Sequence, residues 1–193
     1  MNKAERLTEL QQKCYACKKC AIGGQDVDGH LSNVWSNMSM KAQIMVIGQN
    51  PGYVEVERGK PFVGPSGEFF DKAIEEVLGI DRTHFYITNT CHCYTAKNRK
   101  PSNVEIENCC EFLDAEIEAV NPKIIVTLGA PSLEQVTGRK GIMKLHGQKI
   151  ISLRYKKNVL PLLHPSPRNM NKPELKVKFY QDLEVLKEYL NGR

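Results

Sequence analysis

The chain has 193 residues, 41% of them hydrophobic, which suits one α/β domain with a substantial core and would crowd two. No apolar run reaches the length of a membrane span and the opening Met1-Asn2-Lys3-Ala4-Glu5-Arg6 lacks a signal-peptide core, so a cytoplasmic protein without a membrane partner is expected. Its net charge of +5, from 27 basic and 22 acidic residues, admits a polyanionic partner without requiring one.

In chain order, a helix is predicted from about Lys3 to Lys13, ending at the first cysteine pair. Residues 21–40 read as an irregular wrapping segment. Ala42–Gly48 is a short apolar run closed by glycine, the pattern of a buried parallel strand. Gln49 to Gly64, with three glycines and two prolines, reads as a long loop. A helix over roughly Ser66–Leu78 follows, with Phe69, Phe70, Ala73, Ile74, Val77 and Leu78 on one apolar face. His84–Thr90 is a second strand. Ser102 with Glu105 forms a capping-box pattern for a helix reaching about Val120, where Asn121-Pro122 stops it. Lys123–Gly129 is a third strand, with a short helix near Pro131–Val136. Lys149–Tyr155 and Asn158–Leu163 read as a hairpin or as neighbouring strands. A last helix spaces Leu175, Phe179, Leu183, Leu186 and Leu190 for docking on the sheet.

Strands alternating with helices predict a three-layer α/β/α fold in a single domain, around a central, mostly parallel four-stranded sheet. Ligands of such sheets bind at the carboxyl ends of the strands. The loops after Gly48, Thr90, Gly129 and Leu163 are therefore the ones to inspect, and all but the third are chemically unusual.

Gly48-Gln49-Asn50-Pro51-Gly52 makes a tight turn able to present backbone N–H groups and a polar side chain, although turns of this composition are common. His164-Pro165-Ser166-Pro167-Arg168 places a histidine at a strand end between stiff neighbours. A histidine there is more often structural, but rigid display of a polar group is what a preorganised site needs. Phe62, in Pro61-Phe62-Val63-Gly64-Pro65, is either core or a stacking platform for a flat ligand. Asn89, near a strand end, offers a donor and an acceptor side by side, which suits one edge of a nucleobase. Lysines and arginines cluster at 97–100, 139–149 and 154–157; any one cluster alone reads as solvated loop charge, but several in loops after strands lead us to expect a phosphate-contacting face.

Seven cysteines, an odd number in a reducing compartment, argue for metal or redox chemistry over a disulfide framework. Cys14-x-x-Cys17 is a strong metal-ligand pair that needs two more ligands from the remaining cysteines. Four thiolates suit zinc as well as an iron–sulfur cluster, and spacing alone leaves Cys20 open as a ligand.

Taken together these motifs resemble the uracil-DNA glycosylase superfamily, specifically its iron–sulfur family 4. The resemblance rests on Lys13-Cys14-Tyr15-Ala16-Cys17, Gly48–Gly52, Lys60–Gly64, Tyr86–Asn89 with Cys93 and Cys109, Asn121–Ala130 and His164–Ser166. It implies a uracil-DNA glycosylase-like fold acting as a monomer on DNA that contains uracil, and hydrolysing the N-glycosidic bond. It implies a structural [4Fe–4S] cluster, in preference to zinc, on Cys14, Cys17, Cys93 and Cys109, tying the N-terminal segment to the body and leaving Cys20, Cys91 and Cys110 spare. Phe62 would stack on the flipped base and Asn89 would read its O4 and N3–H edge, with Gly48 and Gln49 completing the base site. His164 would bond O2, while Ser166 and Arg168 would meet the DNA.

Departures from the family pattern fall in the first motif, where this chain has Gln49 and Asn50. An amide is no strong base, so Asn50 is expected to position the water, with Glu55 either a second catalytic candidate or a surface carboxylate. Gly52 stands where classical members carry a tyrosine against thymine's methyl group, which keeps 5-substituted or mismatched bases open as substrates. The stretch 95–103 lacks the histidine by which a related member is trapped covalently on DNA, although His92 is nearby. The competing class is a zinc-bound module of the same shape that binds nucleic acid with little or no catalysis.

Overall fold

The computed structural model describes every residue except Met1, Met40 and Arg193. The chain begins with α1 (Lys3–Tyr15), a two-stranded hairpin of β1 (Asp26–Val27) and β2 (His30–Leu31), then β3 (Ile44–Gly48). Next come α2 (Tyr53–Arg58), α3 (Pro65–Leu78), β4 (Phe85–Asn89), α4 (Asn103–Val120) and β5 (Ile124–Leu128). The C-terminal half holds α5 (Ala130–Thr137), α6 (Ile142–Leu145), β6 (Ile150–Ser152), β7 (Lys157–Leu162), α7 (Pro167–Met170) and α8 (Pro173–Leu190).

The long helices start and stop where local chemistry dictates. Asn2 with Glu5 and Ser102 with Glu105 form capping boxes at α1 and α4, and α3 opens on Pro65 and ends at left-handed Gly79. The central sheet has the order β4-β3-β5-β7-β6. Its first four members are parallel, as expected, and β6 pairs antiparallel with β7, which resolves the C-terminal pair of runs as a hairpin that adds a fifth strand.

Two apolar layers follow from the period of two along each strand. Ile44, Val46, Phe85, Ile87, Val126 and Leu160 face α3 and α8, which bring Phe70, Ile74, Phe179, Leu183 and Leu186. Met45, Ile47, Tyr86, Ile125 and Val159 face the other way, onto Leu7 of α1, Leu113 and Ile117 of α4, and Leu133 and Val136 of α5. The expected three layers are thus present. No helix among the described residues is long and apolar enough to cross a membrane.

Two expectations of irregular backbone are corrected. Within the stretch read as a long loop, α2 forms because the Glu55 carboxylate accepts from the Gly52 N–H at 3.0 Å and Gly59 closes the helix at φ +61°. Within residues 21–40, β1 and β2 pair as a hairpin through Asp26↔Leu31 and Val27↔His30, while Met40 lies outside the described residues.

Candidate active site and cysteine pocket

Because β3 and β4 run parallel in register, Gly48 and Asn89 emerge side by side at the carboxyl edge of the sheet. β3 is also where the strand order reverses, with β4 on one flank and β5 on the other, so a crevice opens there. It is a cavity of about 460 Å³ whose wall includes Gln49, Asn50, Glu55, Phe62, Asn89 and His164. Three loops far apart in sequence supply these side chains.

The Asn89 side chain is 2% exposed, and its Oδ1 has no hydrogen-bond partner among the described residues. A buried acceptor left unpaired costs roughly 1–3 kcal/mol, which a donor on a ligand would recover. Gly48 has to be glycine here, since a Cβ would run into Asn89 Oδ1. The turn that follows is sewn to the exit of β4: Thr90 N–H donates to Gly48 O at 3.0 Å and Cys91 N–H to Gln49 O at 3.0 Å.

Asn50 sits in a fixed orientation. Its Oδ1 accepts from Gln49 Nε2 at 2.9 Å, and its Nδ2 donates to Thr95 Oγ1 at 3.2 Å and Pro51 O at 3.1 Å. Glu55 lines the cavity, but its oxygens are occupied by backbone. Beyond Gly52, Oε1 accepts from Val63 N–H at 2.9 Å and Gly64 N–H at 2.7 Å, so the carboxylate clamps the turn that carries Phe62. Phe62 is held at φ +56°, a strained setting for an aromatic residue, with its carbonyl packed against Gly67. Its ring meets Phe70 edge-on at 5.9 Å and His164 at 6.1 Å.

His164 is partly exposed at the cavity wall and braced from behind. Asn169 Nδ2 donates to its carbonyl at 2.9 Å, and Gly129, at φ +87°, leaves only 3.1 Å between a would-be Cβ and His164 Cβ. Burial pushes the imidazole below its ordinary pKa, against the opposing pull of the Glu55 charge, and favours the neutral ring. The loop after β5, unremarkable in sequence, thus serves as the support of this histidine. Ser166 lines the cavity and caps α7, whereas Arg168 is exposed on that helix, outside the cavity wall.

Sequence reasoning also missed Thr95, which holds Asn50, and Asn98, which reaches the cavity wall from a loop with two successive left-handed residues, Lys97 and Asn98. The basic clusters do not form one face. The loop at 97–100 flanks the cavity, but Arg154 and Lys156 lie on the β6–β7 turn, at the amino end of β7 and so away from it.

A second pocket gathers Cys14, Cys17, Cys20, Cys91, Cys93 and Cys109 from the end of α1, the exit of β4 and the buried stripe of α4. Cys91, expected to be spare, is in it. Cys110 is not, and its sulfur accepts from Gln135 Nε2 at 2.6 Å. Asn33 Nδ2 donates to Cys14 O at 2.8 Å and fastens the wrapping segment over the cysteines. Among the described residues no three His, Cys, Asp or Glu side chains group as ligands of a single ion. His92 is fully buried beside Cys109.

The family model of the uracil DNA glycosylase superfamily matches residues 36–184. A type-4 uracil-DNA glycosylase of Thermotoga maritima is 35% identical over 192 residues, covering 96% of this chain and 94% of that protein. Type-4 enzymes of Sulfurisphaera tokodaii and Saccharolobus solfataricus are 32% and 31% identical, covering 95% and 100% of this chain and 84% and 89% of their own lengths.

Proposed function

Because this chain belongs to the uracil DNA glycosylase superfamily, we propose that it excises uracil from DNA, hydrolysing the N-glycosidic bond to leave an abasic site. The observation that carries the reading is the unpaired, buried Oδ1 of Asn89 at the foot of the cavity. Uracil presents one donor, N3–H, beside one acceptor, O4, and the Asn89 amide is complementary to that pair. Phe62 stacks on the extruded ring. His164, whose surroundings lower its pKa and so favour the neutral ring, donates an N–H to O2, where negative charge gathers as the N1–C1′ bond breaks. Asn50 holds the attacking water through its amide while C1′ becomes cation-like, and Glu55 keeps Phe62 in place through its backbone clamp. Lys97, Lys100 and Arg168, exposed on segments adjoining the cavity residues Asn98 and Ser166, are the proposed contacts to the flanking phosphates.

The reading extends to a [4Fe–4S] cluster held by Cys14, Cys17, Cys93 and Cys109. Three of these thiols are buried and all four line one pocket, in a mainly apolar shell with Ile22, Trp35 and Phe112. Four thiolates are the donor set such a cluster takes, and all four converge on this one pocket. Its chemistry there is that of a cross-link joining α1, the exit of β4 and α4.

The test is an end-labelled oligonucleotide with a single uracil, incubated with the protein and then treated with alkali. The wild type is expected to give a break at uracil, with His164→Ala and Asn89→Ala each slower by about 10²–10³-fold. An intact strand after prolonged incubation with wild type would falsify uracil excision.

A further inference from the structure

Two ionisable side chains outside the base cavity, Glu116 and His92, are fully excluded from solvent. Glu116 sits on α4 two turns beyond Cys109. Its Oε1 accepts from Tyr86 Oη at 2.9 Å and its Oε2 from Thr88 Oγ1 at 2.8 Å, while His92 Nε2 lies 3.0 Å from the same Oε2. Ser36 Oγ donates to Tyr86 Oη at 2.7 Å and extends the chain of bonds to the wrapping segment. Trp35 stacks on the imidazole at 4.9 Å, and Phe112 meets it edge-on at 6.0 Å. The far side of the ring points at sulfur: Nδ1 is 3.4 Å from Cys109 Sγ, and the His92 backbone N–H donates to that same atom at 3.3 Å.

The donor inventory limits what this arrangement does. Two hydroxyls and a ring nitrogen converge on one carboxylate, which fixes the plane of the imidazole between Glu116 and Cys109. The backbone N–H and the ring Nδ1 of His92 thus both lie against the Cys109 sulfur, while Nε2 is anchored on the buried carboxylate. We propose that His92 is a positioning residue for the iron–sulfur ligand Cys109, giving its sulfur two N–H···S hydrogen bonds, and that Glu116 orients the ring for that task. Hydrogen bonds to ligand sulfur draw electron density away from the iron–sulfur bond and raise the reduction potential of a cluster. This inference rests on the cluster reading above.

Wild type, His92→Phe and Glu116→Gln are to be purified, assayed for iron and sulfide, and compared by resonance Raman spectroscopy and redox titration. His92→Phe keeps a ring against Trp35 and removes the side-chain donor. It is expected to retain wild-type iron content while its Fe–S(Cys) stretching bands move to higher frequency and its midpoint potential moves negative. Glu116→Gln is expected to move both readouts in the same direction by less, and it decides the matter if His92→Phe does not fold. Wild-type bands and potential in the variants, with iron present in all proteins, overturn the inference and leave the cluster reading standing. A wild type without iron overturns both.

Discussion

At Gly48 the identity of one residue is set by another 41 positions away. A methyl group there meets Asn89 Oδ1, with Phe62 Cε2 at 3.4 Å on its other side, so Gly48→Ala must displace the amide or the stacking ring. Single-turnover uracil excision by Gly48→Ala is expected to fall at least about tenfold, equivalent to roughly 1.4 kcal/mol of transition-state stabilisation. Wild-type rates would mean that Asn89 can move without loss. For His164 the prediction concerns pH. Its folded pKa lies below the ordinary 6.5, so the neutral donor persists further into acid and the acid limb of excision should be centred below pH 6.5. By linkage, the unfolded chain takes up the proton first. The stabilising contribution of the neutral ring is therefore complete above pH 6.5 and lost as pH falls through the folded pKa. A pH–rate profile in which only the His164→Ala variant lacks the acid limb would bear this out, and an acid limb centred above pH 6.5 would contradict it.

Among the elements, α4 carries both Cys109 of the cysteine pocket and Glu116 behind His92 on its buried stripe. Its start depends on Glu105, whose carboxylate accepts from Ser102 N–H at 2.7 Å and takes a two-pronged contact from Arg99 at 2.8 and 2.6 Å. The Arg99 hydrogen bond is the main cause that holds the Glu105 carboxyl down at about 2. A depressed folded pKa gives stability that is complete above the unfolded value near 4.5 and vanishes as pH falls through about 2. The Tm gap between wild type and Glu105→Gln should therefore be widest above pH 4.5 and narrow steadily towards pH 3, as followed by circular dichroism. A gap independent of pH would locate the effect in packing. The capping box was readable from Ser102 and Glu105 three apart. The Arg99 contact was not, since it depends on left-handed Lys97 and Asn98 folding the loop back. The helix α2 was hidden for a related reason: its first-turn glutamate also bonds Val63 and Gly64, a contact that local pattern does not encode.

Across the whole molecule, the two apolar layers and the cysteine pocket are separate sources of order. Stripping iron with an oxidant and chelator should release α1 and the wrapping segment while leaving the sheet with α3 and α8 folded. Limited proteolysis is then expected to cut first within residues 16–39, with Tm lowered and most far-ultraviolet ellipticity kept. Simultaneous loss of all structure would show that the cysteine pocket is part of the cooperative core.

Sequence by itself determined the first three parallel strands, because each is a short apolar run ended by glycine or a polar residue, and periodicity is a local property, while the pairing of the last two runs stayed open. It also determined the chemical cast at the strand ends, since Asn50, Asn89 and His164 follow buried runs and must emerge at one edge of a parallel sheet. Tertiary structure alone decided how these side chains are bonded: Asn89 Oδ1 is left unpaired, while Glu55 accepts from three backbone N–H groups. It alone brought Cys91 among the other cysteines, set His92 against Cys109, and sent the basic β6–β7 turn to the end of the sheet away from the cavity. The physical reason is common to all of these. Hydrogen-bond satisfaction and facing direction are properties of residues brought together across the fold, and no spacing along the chain specifies them.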